Sequence, residues 1–220
     1  MTEVLRICLI ACPLVFIAGF VDSVAGGGGI ISIPAYLLGG MPTYLALGTN
    51  KLVACMGTAL SSVKYFKSGR VVVKIAALAA IGSLIGSFIG TNLALLIPEQ
   101  ILRIVVLVAL PLVAIFMIRR REFGQTDDQR KKMPAMKETA LALGSGLTIG
   151  LYDGLIGPGT GTFFILIFTG VFGLDLLTSS GCAKISNLAS NVMSAIIYLI
   201  NGKIWFAVAI PAIVCGMLGN

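Results

Sequence analysis

Apolar segments long enough to cross a lipid bilayer are the feature that most constrains what this chain can fold into. A helix needs about 20 consecutive apolar residues to cross about 30 Å of hydrocarbon, and several segments approach or exceed that length. The segments are 4–21, 30–38, 52–63, 71–97, 101–118, 139–152, 162–174, 185–200 and 204–218. Only 11% of the residues are charged, whereas a soluble domain usually carries about 25%. The sequence therefore predicts an all-α polytopic membrane protein that has the lipid bilayer as a partner.

Positive charge is concentrated between the apolar segments, and the formal net charge of the chain is +7. The polar segment 119–138 contains the basic residues Arg119, Arg120, Arg121, Arg130, Lys131, Lys132 and Lys137. Basic residues accumulate in the cytoplasmic loops of membrane proteins, so we expect a cytoplasmic linker in a multi-pass protein of the cell membrane. A second basic turn, predicted on the same side, contains Lys64, Lys67, Arg70 and Lys74. The chain lacks a basic face on a soluble module, which argues against a nucleic-acid partner.

The residue types that usually support metal binding or catalysis are scarce. Histidine is absent, and the five cysteines lie in apolar segments without a CxxC spacing. We therefore predict neither a disulfide framework nor a metal site, and we expect no cofactor. Nucleophile-elbow and phosphate-loop motifs are also missing from the sequence, so no enzymatic activity is predicted.

The two halves of the chain resemble each other, which indicates an internal duplication. An offset of 131 residues aligns Gly19 with Gly150, Asp22 with Asp153, Gly26 with Gly157, Gly28 with Gly159 and Gly39 with Gly170. An offset of 133 residues then aligns Lys51 with Lys184, Ser61 with Ser194, Tyr65 with Tyr198, Gly69 with Gly202, Arg70 with Lys203 and Gly86 with Gly219. Chance similarity between apolar segments would mainly match leucines and alanines, so duplication explains these pairs better.

The alignment divides the chain into a first transmembrane repeat (1–118), the basic linker (119–138) and a second transmembrane repeat (139–220). Asn220 aligns with Ser87, so we expect the second repeat to be incomplete at its C-terminus. The relative orientation of the repeats stays open. They would be parallel if the broken segment 4–40 crosses the membrane once and inverted if it crosses twice. Arg6 favours the first arrangement, and the scarcity of basic residues around Lys203 favours the second.

Each half contains a glycine-rich break that follows an aspartate inside an apolar region. The first break contains Gly26, Gly27, Gly28 and Gly29, and the second contains Gly157, Pro158, Gly159, Thr160 and Gly161. Glycine at this density unwinds a helix, and unwound backbone at membrane depth is tolerated where it is buried in protein or lines a wet cavity. Helices restarting at Ile30 and Thr162 would direct free N–H groups into that cavity, which suits an anion. Alternatively, the glycines only allow close helix packing.

Lys51 and Lys184 are predicted to lie about 12 Å deep, because about eight residues at 1.5 Å each separate them from the preceding turn. An ammonium at that depth needs a cavity or a partner. We interpret the two lysines as the positive charge of a shared anion site; alternatively, they neutralise the aspartates or extend to the interface. The predicted substrate-binding residues are Gly26, Gly27, Gly28, Gly29, Asn50, Lys51, Gly157, Gly159, Thr160, Gly161, Lys184, Asn187 and Asn191. Asp22 and Asp153 are expected to carry a proton or cation, or to cap the unwound backbone.

These segments resemble the sulfite exporter TauE/SafE family of membrane permeases. The resemblance rests on residues 19–34, 46–51 and 69–71 in the first half, and on 152–154, 157–161, 183–184, 187–188 and 191 in the second. It implies secondary transport of a small anion, such as sulfite, a sulfonate or a related organic acid, across the cytoplasmic membrane. Separately, a proton or a sodium ion is the candidate coupling ion. The alternatives are a cation or metal carrier, and a non-transporting accessory protein or membrane enzyme.

Overall fold

The computed structural model describes residues 3–119 and 133–220, and all regular structure in these two ranges is helical. The helices are α1 (Glu3–Ala25), α2 (Gly29–Leu38), α3 (Thr43–Lys67), α4 (Val73–Leu96), α5 (Glu99–Arg119), α6 (Ala135–Leu155), α7 (Thr160–Gly170), α8 (Leu176–Ile200) and α9 (Phe206–Gly219). The predicted linker residues Arg120, Arg121, Arg130, Lys131 and Lys132 lie outside the described ranges.

Within the described ranges, four helices are long and apolar enough to cross a membrane: α1, α4, residues 99–116 of α5, and α8. Helices α2, α7 and α9 are apolar but shorter. Large apolar side chains such as Ile85 and Phe88 of α4 are exposed, whereas Thr49, Asn50 and Lys51 of α3 are buried. Apolar residues outside and polar residues inside are expected for a bundle whose surroundings are hydrocarbon. The chain is therefore a multi-pass membrane protein.

The glycine breaks turn the chain back on itself. Gly26 has a φ of 72° and Gly157 a φ of 94°, a backbone region that glycine adopts without steric cost. Helix α2 then returns along α1. The end of α2 therefore lies beside the start of α1, where Arg6 Nη2 donates a hydrogen bond of 3.1 Å to the carbonyl oxygen of Gly39. The helices restart at Gly29 and Thr160, slightly earlier than the predicted Ile30 and Thr162. Gly29, Thr160 and Gly161 therefore lie in first helical turns and not in unwound chain.

Helices α4 and α6 run parallel at close distance along two rows of glycine. Gly82, Gly86 and Gly90 of α4 face the backbone of residues 143, 147 and 151 of α6, respectively, and Gly146, Gly150 and Gly154 of α6 face the backbone of residues 79, 83 and 87 of α4. A Cβ at most of these positions would overlap backbone atoms of the other helix. The glycine rows therefore set the separation of the two helices, as small residues do in membrane helix pairs.

Helices α3 and α8 cross antiparallel at the centre of the bundle. Gly48, near the start of α3, packs against Tyr198 near the end of α8 and Lys203 beyond it, whereas Gly181, near the start of α8, packs against Arg70 beyond the end of α3. Between these contacts, Lys51 Nζ donates to Asn191 Oδ1 at 3.4 Å. The two helices therefore run in opposite directions.

Basic residues gather at the end of the bundle where the predicted linker joins α6. A 2.8 Å ion pair between Lys74 and Glu138 joins the start of α4 to the start of α6. The α3–α4 turn, which contains Lys67 and Arg70, lies at the same end because α4 begins directly after it. We call this the basic end of the bundle.

Candidate functional site

The two glycine breaks pack against each other at the centre of the bundle. A Cβ added to Gly26 would lie 2.6 Å from the backbone of Gly161, and one added to Gly29 would lie 3.4 Å from Pro158. Thr162 Oγ1 also donates a 2.6 Å hydrogen bond to the carbonyl oxygen of Ala25. Backbone from both halves of the chain therefore forms a common wall.

Lys51 of α3 forms an ion pair with Asp153 of α6. The Lys51 Nζ to Asp153 Oδ2 distance is 2.7 Å, and the side chains are only 5% and 2% exposed. Among the described residues, the ammonium of Lys51 contacts Oδ2 as an ion pair and no hydrogen bond to Oδ2 is well aligned. Oδ1 accepts a 2.7 Å hydrogen bond from the Thr160 hydroxyl. Gly157 lies directly against the ammonium, because a Cβ there would be 3.2 Å from Nζ. The pair is thus enclosed by the second break.

Lys184 of α8 forms the corresponding pair with Asp22 of α1. Its Nζ lies 2.7 Å from Asp22 Oδ2 and also donates to the backbone carbonyl of Asp22. The Lys184 side chain is 3% exposed and the Asp22 side chain 16% exposed. Each lysine therefore pairs with the aspartate of the opposite half, as in the second of our two interpretations of the lysines. The formal charges of the two pairs sum to zero.

A cavity of about 30 Å³ lies between the breaks and the α3–α8 crossing. Its lining contains Asp22, Gly26, Gly29, Asn50, Lys51, Ala54, Asp153, Gly157, Gly159, Thr160, Asn187 and Asn191. Every residue in this lining except Ala54 was predicted from the sequence. Ala54 lies about one helical turn beyond Lys51 and therefore on the same helix face. If Lys51 faces a cavity, helical periodicity predicts that Ala54 lines it too.

Four predicted site residues do not line this cavity. Lys184 is outside the lining and donates a hydrogen bond to the Asp22 carboxylate. Gly161 packs on Gly26. Gly27 is buried within the first break. Gly28 lines an adjacent cavity of about 50 Å³, and this second cavity shares Asp22, Gly29, Asn50 and Ala54 with the first.

Three asparagine amides surround the first cavity and have spare hydrogen-bonding capacity. Asn50 Oδ1 accepts a 2.6 Å hydrogen bond from Ser32, a residue that was not predicted although it lies in the first turn of α2. Asn191 Oδ1 accepts from Lys51, and Asn187 Oδ1 is buried with no hydrogen-bond partner among the described residues. The amide donors and the Lys51 ammonium together suit a small oxyanion. In the described part of the chain, no group of three His, Cys, Asp or Glu side chains could hold a metal ion.

Comparison with known proteins identifies the family of this chain. The family model described as "Sulfite exporter TauE/SafE" matches residues 11–220. The chain belongs to this family. A probable membrane transporter protein, ORF9, from a Sinorhizobium species is 35% identical over 195 residues, which cover 89% of this chain and 73% of the relative.

Two further relatives have similar descriptions. The probable membrane transporter protein YfcA of Escherichia coli K12 is 31% identical, with 92% of this chain and 74% of the relative covered. A probable membrane transporter protein of Haemophilus influenzae is 35% identical, with 93% and 78% covered. No solved structure matches the chain. The family and these relatives support a membrane transporter.

Proposed function

We propose that this TauE/SafE protein is a secondary transporter of a small anion, such as sulfite, a sulfonate or a related organic acid, across the cytoplasmic membrane. The observation that carries the proposal is the buried Lys51 ammonium at the junction of two glycine breaks, in a cavity that three asparagines also line. A charged residue in this position is expensive to bury and usually marks a substrate or ion path. Paired breaks at corresponding positions are a feature of transporter binding sites.

The ion pairs indicate what the lysines can bind. A carboxylate and a sulfur oxyanion present similar negatively charged oxygen atoms to an ammonium group. Asp153 in this state occupies the place at Lys51 that a substrate oxyanion would take, with the asparagine amides as additional donors. Transport would then require Lys51 to exchange its aspartate partner for the substrate and to regain the aspartate after release.

A cavity this small would correspond to an occluded state between two open ones. A volume of about 30 Å³ holds about two or three water molecules, since each needs about 10–15 Å³ of such space. Entry of an anion therefore requires the helices around the breaks to move apart. In secondary transporters with repeats, one repeat rocks against the other around a fixed site.

Inverted repeats would allow that motion. Contacts between equivalent residues of the two halves support an inverted repeat. Gly86 packs on the backbone of Leu147, and its equivalent Gly219 packs on that of Phe16, the equivalent of Leu147. Likewise, the Trp205 amide donates to Thr49 Oγ1, and the amide of Val72, its equivalent, donates to Cys182 Sγ. The equivalent helices α3 and α8 run antiparallel, which corresponds to inverted rather than parallel repeats.

Transport by the purified protein in liposomes tests the proposal. We expect uptake of radiolabelled sulfite or methanesulfonate, and we expect Lys51→Ala to reduce the rate at least about tenfold because the substrate loses its ammonium partner. Lys184→Ala should also reduce it, through loss of the Asp22 partner. Lys67→Ala is the matched control, since Lys67 is an exposed lysine on the same helix as Lys51, and its rate should equal that of the unmodified protein.

Two results would contradict an anion carrier. One is unchanged uptake of every tested anion in Lys51→Ala protein that elutes as a single species on size exclusion. The other is uptake or ligand-dependent thermal stabilisation with cations alone, since only the favoured ligand raises stability. The latter result would support a cation carrier instead.

A further inference from the structure

The two lysine–aspartate pairs occupy equivalent positions in the aligned halves, but their surroundings differ. Thr160, whose hydroxyl donates to Asp153, aligns with Gly29, so Asp22 has no equivalent hydroxyl partner in the described part of the chain. Asn187 and Asn191 align with Ala54 and Thr58, and Asn50 aligns with Ala183. The amide groups therefore gather around Lys51, in the cavity that Lys184 does not line. An oxyanion would find donors at one pair only.

The two aspartates also differ in access to water. The Asp22 side chain is 16% exposed and that of Asp153 is 2% exposed. Asp22 lines both cavities, whereas Asp153 lines only the one between the breaks. A carboxylate that exchanges protons with water needs such access. Asp22 is therefore the better placed proton carrier.

Few charged groups surround Asp22. Lys184 of α8 is its ion-pair partner, and Lys51 of α3 and Asp153 of α6 face it across the cavity. Tyr65 of α3 donates a 3.5 Å hydrogen bond to the carbonyl of the neighbouring Ser23. Helices α2, α7 and α9 contribute only uncharged residues to the linings of the two cavities. Protonation of Asp22 would therefore change the local charge from zero to +1.

We propose that Asp22 carries the coupling proton while Lys51 and the neighbouring asparagines hold the anion, so that one proton and one monovalent anion cross the membrane together. This inference rests on the proposed anion transport. A proton alone would leave an unbalanced positive charge in the site, and an anion alone an unbalanced negative charge. Both are costly in a buried position, so each ligand favours binding of the other. Lys184 keeps its bond to the Asp22 backbone carbonyl and stays in place when the carboxylate is neutral.

The experiment compares the two aspartates in liposomes with methanesulfonate, because this anion stays monovalent throughout the pH range whereas sulfite itself gains and loses a proton near neutral pH. A pH gradient should drive accumulation by the unmodified protein. Asp22→Asn should reduce this accumulation at least about tenfold, and the rate of anion exchange in this variant should no longer depend on pH. Asp153→Asn is the matched comparison: its pH profile should resemble that of the unmodified protein, and its KM for the anion should change instead.

The possible outcomes separate this inference from the proposed function. Absence of anion transport by the unmodified protein contradicts the proposed function. Anion transport that does not respond to the pH gradient contradicts only the inference. A flat pH profile for Asp153→Asn together with an unchanged profile for Asp22→Asn also contradicts only the inference. If Asp22→Asn does not fold, Asp22→Glu is measured: a shifted pH profile supports the inference and an unshifted profile overturns it.

Discussion

At the residue scale, the buried charges at the centre of the bundle are stable only as pairs. Lys51 with Asp153 and Lys184 with Asp22 are each 2.7 Å apart. Removal of one member of a buried pair leaves an uncompensated charge and typically costs about 3–5 kcal/mol. Any transport phenotype at these positions therefore has to be separated from a loss of folded protein, so size exclusion of each variant has to accompany the transport measurement.

Asp175 shows a different use of a carboxylate, at the N-terminus of α8. Its Oδ1 accepts hydrogen bonds from the amides of Leu177 at 3.0 Å and Thr178 at 3.1 Å. Partial burial acts to raise the pKa of Asp175, but the hydrogen bonds from Thr178 and Leu177 and the positive charge of Arg70 outweigh it, so the pKa lies below its usual value. The charged carboxylate thus stabilises the folded state.

We predict that Asp175→Ala lowers the stability of the protein in detergent by about 1 kcal/mol at neutral pH, the usual effect of losing an N-cap. Because the folded-state pKa is lower than the unfolded-state pKa, the stabilisation is fully present above the unfolded pKa and is lost as pH falls through the folded pKa. Unfolding of both proteins across this pH range should show the difference shrinking toward acid pH. A difference that stays constant down to acid pH would contradict this account.

At the element scale, two rows of glycine let α4 and α6 approach each other. Gly82, Gly86 and Gly90 repeat every four residues on α4, and Gly146, Gly150 and Gly154 do so on α6. We predicted close packing only as an alternative role for the breaks, and these rows were not among the predicted contacts. Their four-residue spacing places each row on one helical face, and it is the signal that could have revealed the contact.

We predict that Gly150→Ala destabilises the protein by about 1–3 kcal/mol, because its Cβ would lie 2.7 Å from the Ser83 Cα and would push two helix backbones apart. Gly144→Ala on the same helix is the matched control: a Cβ there meets nothing within 4 Å. That variant should be unchanged, or more stable by up to about 1 kcal/mol through helix propensity. Thermal unfolding in detergent measures both. Equal effects of the two substitutions would show that the glycine row does not control the packing.

At the scale of the whole molecule, the orientation of the two halves determines how transport can alternate. The aligned turns after α3 and α8 lie at opposite ends of the bundle, because the two helices are antiparallel. The turn after α3 belongs to the basic end, whereas the turn after α8 has Lys203 near it. From the positive-inside rule we expect the basic end to face the cytoplasm and the α8–α9 turn to face outward.

Cysteine labelling in intact cells tests this orientation. Ser68 and Asn201 are exposed, aligned residues in these two turns, and we predict that Asn201→Cys, but not Ser68→Cys, reacts with a membrane-impermeant thiol reagent. The background is a variant in which the native cysteines Cys8, Cys12, Cys55, Cys182 and Cys215 are replaced. Ser68→Cys should react only after the membrane is permeabilised. Labelling of both positions from one side would favour parallel repeats.

The sequence by itself determined the membrane class, and it identified nearly all of the cavity lining. Apolar segments have few folds available in a bilayer, and a lysine, an aspartate or a run of glycines inside such a segment requires a special environment, so these residues could be recognised without coordinates. The tertiary structure decided which lysine meets which aspartate, which of the paired positions line the cavity, and that α3 and α8 cross antiparallel. These features depend on contacts between residues more than a hundred positions apart, and neither helical periodicity nor local charge encodes them.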